Sequence, residues 1–156
     1  MRHKWRKKLR HLCRLLIVRR LNMQRVTQID STGCGLACVA MLAQTNYKTV
    51  KARAIKSKIL NPSGPFYTSS KDLRELLSEF KIKTRTGRAI KKWESLPNRA
   101  IAGINYKEKT KTWHWVVFIR KDCGESYVLD PKPSIKTKKR NDFGRMRLRS
   151  YIPVGV

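Results

Sequence analysis

The sequence predicts an α+β fold in which N-terminal helices pack on a C-terminal antiparallel sheet. Three observations predict it. Between residues 35 and 80 the apolar residues fall in helix-like segments bounded by capping and turn residues. From residue 100 onward they fall in short runs rich in valine, isoleucine and aromatics, separated by turns rich in lysine, aspartate and glycine. The two kinds of segment follow one another rather than alternate, which argues for α+β and against a doubly wound sheet.

Residues 2–21 carry no acid and many bases. Trp5, Leu9, Leu12 and Leu16 recur at spacings of four, three and four, with Cys13, Ile17 and Leu21 alongside. This is the pattern of an amphipathic helix with a basic opposite face, so residues 1–21 are set apart from a domain spanning 22–156. The stripe suits an anionic membrane or an acidic partner, and equally the domain's own surface. Residues 22–33 read as a connection. Gly35 to Ala43 is apolar all round and rich in small residues, the mark of a buried helix. Val50 to Leu60 reads as a second helix, and Asn61-Pro62-Ser63-Gly64-Pro65 breaks it. Ser69 or Ser70 caps a third, with Asp72 in the first turn and Leu73, Leu76, Leu77 and Phe80 on the apolar face. Ile82 to Thr86 alternates as a short strand. Ala100 to Ile104 and Trp113 to Ile119 are strands, and Lys121-Asp122-Cys123-Gly124 turns the chain into Tyr127 to Leu129. Lys132 to Arg149 is basic and less periodic, and a last strand lies near Tyr151-Ile152.

A chain of 156 residues and 18.2 kDa is one domain of ordinary size with room for a core. Lys and Arg number 37 against 10 acids, a net charge of +27. Such a field attracts polyanions: nucleic acid, anionic lipid or acidic peptide. No helix-turn-helix, zinc-finger or RNA-binding aromatic motif accompanies it, so nucleic acid is not the favoured partner. The four cysteines, Cys13, Cys34, Cys38 and Cys123, fit no zinc spacing and no disulfide framework. They read as free thiols in a reducing compartment, with no metal and no cofactor expected. The longest N-terminal apolar run, Leu15 to Val18, falls far short of the roughly 20 residues that span a bilayer. Arginines close it off on both sides, unlike a secretory signal. The expected location is cytoplasmic, peripheral to the inner membrane face if residues 1–21 bind lipid.

The stretch Gln28-Ile-Asp-Ser-Thr-Gly-Cys-Gly places Cys34 where a polar loop becomes a helix. Free backbone N–H groups and the helix dipole favour a thiolate there. A cysteine among small residues is also an ordinary core residue, so the position alone is a weak signal. A nucleophilic cysteine needs a base. His3 and His11 lie among cations, which leaves His114, at the start of an apolar run. If residues 121–124 turn a hairpin, His114 falls opposite position 130 or 131, and position 130 is aspartate. Cross-strand neighbours lie about 5 Å apart, so Asp130 can orient and stabilise the imidazole; a slip of one residue would separate the two faces. Gln28, six residues before Cys34, offers a side-chain amide for an oxyanion, beside the Cys34 backbone N–H.

These residues resemble the papain-like cysteine peptidases that process bacteriocin precursors at double-glycine leaders. Their pattern of a glutamine, a cysteine six residues later followed by glycine, and a second cysteine in the next turn is matched by Gln28, Cys34-Gly35 and Cys38. His114-Trp115-Val116-Val117 and Asp130-Pro131 match the histidine strand and the aspartate, and Ser69 to Leu73 and Leu96-Pro97 also look like the family. The match covers about residues 22–153. The resemblance implies a papain-like fold, Cys34 as nucleophile, His114 as general base and acid, and Asp130 as its orienter. Gln28 and the Cys34 N–H would bind the oxyanion. The reaction would be peptide hydrolysis through a thioester, after a small-residue pair ending a leader. The expected substrate is a peptide or protein precursor, with the positive field favouring an acidic segment or a membrane exporter. The sequence departs from the family in having Gly33 where aspartate is common, and it reads as a stand-alone peptidase domain without the exporter. The competing readings are a catalytically silent relative that binds a leader or partner, another acyl chemistry on the same site, and a basic nucleic-acid-binding protein.

Overall fold

The computed structural model describes residues 23–155. The basic helix expected over residues 1–21 lies outside the described residues. Among the described residues three α-helices come first: α1, Cys34–Ala43; α2, Tyr47–Lys56; and α3, Ser70–Glu79. Five strands follow: β1, Arg88–Ala89; β2, Arg99–Lys107; β3, Thr112–Arg120; β4, Ser126–Leu129; and β5, Leu148–Pro153. They form one antiparallel sheet in the order β1-β5-β2-β3-β4. This is the α+β architecture that the segregation of helix-like and strand-like segments predicts.

Each helix has a local reason for its limits. Helix α1 is apolar on every side because it is the central rod of its layer: residues 35–42 are all buried, between α2, α3 and β3. Helix α2 is shifted from the expected Val50–Leu60. Asn46 starts it by accepting the Thr49 N–H at 2.8 Å, and the left-handed turn at Lys58, φ 57°, ends it. Helix α3 begins with a complete capping box: Ser69 Oγ accepts the Asp72 N–H, and the Asp72 carboxylate accepts the Ser69 N–H. Leu73, Leu76 and Leu77 then face inward.

The run Trp115-Val-Val-Phe-Ile shows no polar alternation because both faces of the sheet are covered. Ile101, Trp115, Val117, Leu129 and Ile152 pack with the helices. Ala102, Ile104, Val116, Phe118 and Val128 pack on the other face under Met146 and Leu148, with Trp93 and Phe143 closing the layer. The strand expected at Ile82 to Thr86 does not form as such. Only Thr84 pairs there, in an isolated bridge to Val154, and the true edge strand is β1, opposite Ser150 and Tyr151. Ile82 is the one apolar residue of that segment, too little to anchor a ladder. No helix among the described residues is long and apolar enough to cross a membrane.

Candidate active site

The β3–β4 hairpin sets the register that matters. Gly124, at φ 89°, closes the turn by donating its N–H to the Lys121 carbonyl at 2.9 Å. Val117 then pairs with Leu129 and Arg120 with Ser126. This is one residue off the spacing the loop length suggests: continued outward, the ladder sets Asp130 level with Val116 and Lys132 level with His114. His114 and Asp130 are therefore diagonal neighbours on one face rather than a direct pair. The diagonal suffices, because His114 Nε2 lies 2.7 Å from Asp130 Oδ1.

Cys34 is the first residue of α1. No side chain caps this helix and no acid lies in its first turn, so nothing there opposes negative charge at the sulfur. The Cys34 thiol lies close enough to the His114 imidazole to perturb it, and both line one cleft. With Nε2 committed to Asp130, Nδ1 is the nitrogen left for the thiol. Burial alone would lower the His114 pKa. The hydrogen bond to Asp130, then the neighbouring Cys34 thiol, and the charge on both more than reverse this, raising it from 6.5 to about 9. Burial pushes Asp130 up, and the hydrogen bond and charge of His114, the Lys132 N–H and Arg140 together pull it below its ordinary value. An ionised carboxylate thus faces an imidazole that favours its cation, itself beside a thiol. Cys34, His114 and Asp130 thus meet in one place, a thiol, an imidazole and a carboxylate hydrogen-bonded to that imidazole.

The three residues line a cleft of about 390 Å³ between the helices and the sheet, with Gln28, Tyr67, Trp113 and Lys132 among its walls. The cleft wall from α1 to the 66–69 segment is tied by the Phe66 N–H, which donates to Thr32 Oγ1 at 2.8 Å. Gln28 is present in the cleft, and its backbone N–H donates to the Pro131 carbonyl at 2.9 Å, joining the cysteine loop to the aspartate loop. Its side-chain Nε2 donates to the carbonyls of Asp30 and Ser31 at 3.0 and 2.9 Å, while Oε1 is buried without a partner. The amide therefore braces its own loop, and serving an oxyanion requires one of those bonds to be exchanged. Cys38 lies fully buried behind Cys34, and burial holds its thiol well above the ordinary range, so it is a packing residue. Cys34, Cys38 and Cys123 are free thiols. No cluster of three or more potential metal-binding His, Cys, Asp or Glu side chains occurs among the described residues.

Three supports were not legible in the sequence. Arg140 Nη1 donates to Asp130 Oδ2 at 2.6 Å while its Nε and Nη2 grip Asp142. Arg25 donates to the carbonyls of Asp130, Lys132 and Ile135 at 2.6, 2.8 and 2.7 Å, fixing the backbone that carries the aspartate. Asp30 accepts hydrogen bonds from the Tyr47 hydroxyl and from Lys51, which hold its carboxyl below the usual range and pin the cysteine loop to α2. All three are pairings between distant or irregular segments, which no spacing announces; only the Arg140–Asp142 pair is local.

A family model described as the peptidase C39 family matches residues 22–146. Among solved structures the chain is similar to the peptidase domain of Streptococcus ComA, a bi-functional ABC transporter involved in a quorum-sensing pathway. That match has a TM-score of 0.59 and 20% identity, over 86% of this chain and 98% of that one. It is also similar to a double-glycine motif protease from an AMS/PCAT transporter, solved in complex with the leader peptide, with a TM-score of 0.58 and 14% identity over 85% and 91% of the two chains. The peptidase domain of Streptococcus mutans ComA matches with a TM-score of 0.51 and 19% identity, over 85% of this chain and 99% of that one. No curated protein matches significantly. The shared fold is the α+β, papain-like arrangement expected from the sequence.

Proposed function

We propose that this chain, which belongs to the peptidase C39 family of cysteine peptidases, hydrolyses a peptide precursor with Cys34, His114 and Asp130 as its working residues. The observation that carries the reading is the meeting of Cys34, His114 and Asp130 in one cleft, with Asp130 Oδ1 2.7 Å from His114 Nε2. In this reading the Cys34 sulfur, as thiolate, attacks the scissile carbonyl carbon. The negative oxygen of the tetrahedral intermediate is met by the Cys34 backbone N–H and by Gln28 once its amide turns from the loop carbonyls. His114 gives its proton to the departing amine, leaving a thioester. It then takes a proton from the water that releases the acid. Asp130 holds the ring in place and stabilises its charge.

The substrate class proposed is a precursor cut after a small-residue pair at the end of a leader, as the double-glycine family implies. The solved relative bound to its leader peptide supports a peptide ligand for this fold. The net charge of +27 favours an acidic substrate segment or an anionic docking surface, including a membrane exporter. One observation favours a second reading, a silent leader-binding relative: the Gln28 amide is spent on its own loop.

The deciding experiment is the rate of Cys34 alkylation by iodoacetamide against pH, in wild type and in His114→Ala. The proposal expects fast reaction well below the free-thiol pKa of about 8.5, lost in the variant. Slow reaction in both would leave the silent, binding reading standing.

A further inference from the structure

We propose that Arg140 is a positioning residue that sets the charge balance of the His114–Asp130 pair by dividing the aspartate between two cations. The inference rests on the catalytic reading above.

The Asp130 carboxylate is 1% exposed, so its two oxygens must be satisfied inside the protein. Oδ1 accepts from His114 Nε2 at 2.7 Å and from the Lys132 N–H at 2.9 Å. Oδ2 accepts from Arg140 Nη1 at 2.6 Å. The guanidinium is itself fixed three ways. Nε and Nη2 make paired 2.9 Å bonds to the two oxygens of Asp142. The Arg140 backbone makes both bonds of an antiparallel bridge to Val128, each 2.8 Å, two residues before the aspartate. An arginine held by its backbone, by a second carboxylate and by burial is not a casual surface pairing.

The consequences are chemical. A carboxylate whose Oδ2 is pinned cannot rotate, so Oδ1 stays aimed at the imidazole. A permanent cation on the far oxygen also draws off part of the charge that would otherwise hold the proton on His114. Asp142 in turn draws off part of the arginine. Among the described residues, the other charged or titratable groups around the pair are Cys34 and buried Cys38 on α1, Arg25 beneath the 130–135 backbone, and Tyr67, Lys107 and Lys132 in the cleft wall. Arg25 binds main-chain carbonyls, and among the described lysines and arginines Arg140 is the one hydrogen-bonded to a carboxylate oxygen of Asp130.

The test is an NMR pH titration of the His114 ring in the full chain, its signal assigned by His114→Ala. In Arg140→Gln the midpoint should rise by about one pH unit. In Asp142→Asn, which leaves the guanidinium undivided on Asp130, it should fall. Arg140→Lys should restore the wild-type position. A purely structural arginine would broaden signals or lower stability without moving the midpoint in opposite directions. Unmoved midpoints in both variants overturn the proposal, and if Arg140→Gln does not fold, an unmoved Asp142→Asn does so alone. The titration needs no substrate. Failure to cleave any peptide would therefore count against the catalytic reading only, whereas an ordinary His114 midpoint in wild type would overturn both.

Discussion

The hydroxyl of Tyr47 occupies the space that a side chain at Gly33 would need: a Cβ at position 33 would lie 1.8 Å from the Tyr47 oxygen. That hydroxyl donates to Asp30 Oδ2 at 2.7 Å, and Lys51 grips the same carboxylate. The glycine that departs from the family pattern is thus explained by a tyrosine that the first turn of α2 pushes against the cysteine loop. The carboxylate of this loop sits at Asp30 instead.

Gly33→Ala should therefore be costly although it is the smallest substitution available. Tyr47 must move and release Asp30, and such overpacking costs about 1–3 kcal/mol. Urea unfolding should show a lowered midpoint, with slower alkylation of Cys34. An unchanged midpoint would mean that Tyr47 swings aside freely.

The two neighbouring thiols should separate cleanly. Cys34→Ser should abolish peptide cleavage. Cys38→Ala should leave cleavage within a few-fold of wild type while costing about 1 kcal/mol, because it removes only a packed sulfur. Loss of activity in Cys38→Ala with full stability would assign that thiol a role it lacks here.

Stability should depend on pH with a predictable sign. The His114 pKa is raised on folding from 6.5 to about 9, so its contribution is complete below pH 6.5 and fades as pH rises toward 9. Asp130 is lowered from 3.8, so its contribution holds above that value and is lost in acid. Denaturant midpoints should therefore be highest between about pH 4 and 6.5. The decline between 6.5 and 9 should flatten in His114→Ala. A decline of equal size in that variant would place its origin elsewhere.

The capping box can be tested alone. Ser69→Ala removes the oxygen that accepts the Asp72 N–H and should cost about 1 kcal/mol. Ser69→Thr should recover most of it, as urea midpoints would show.

The α+β order, the cap of α3 and the pairing of His114 with Asp130 were legible because each is written locally. Ser69 and Asp72 lie three residues apart, and His114 and Asp130 flank one short turn. The register still came out one residue away from the simplest spacing, and the pair survived because a diagonal also shares a face. What could not be read was tertiary. Arg140 reaches Asp130 through a stretch without periodicity. Arg25 acts on carbonyls more than a hundred residues away. The Gln28 amide could be placed near the cleft from its spacing, but the direction it points follows from the loop carbonyls that fold around it.

Cys34 belongs to the helical layer, whereas His114 lies on β3 and Asp130 directly follows β4. The seam between the layers is therefore also the seam through the proposed chemistry. A small parting of the two, far short of unfolding, would disconnect sulfur from imidazole while every helix and strand kept its hydrogen bonds. Warmed gently, such a molecule would fall silent before its circular dichroism changed, and on cooling its voice would return with the docking of the layers rather than with the folding of either.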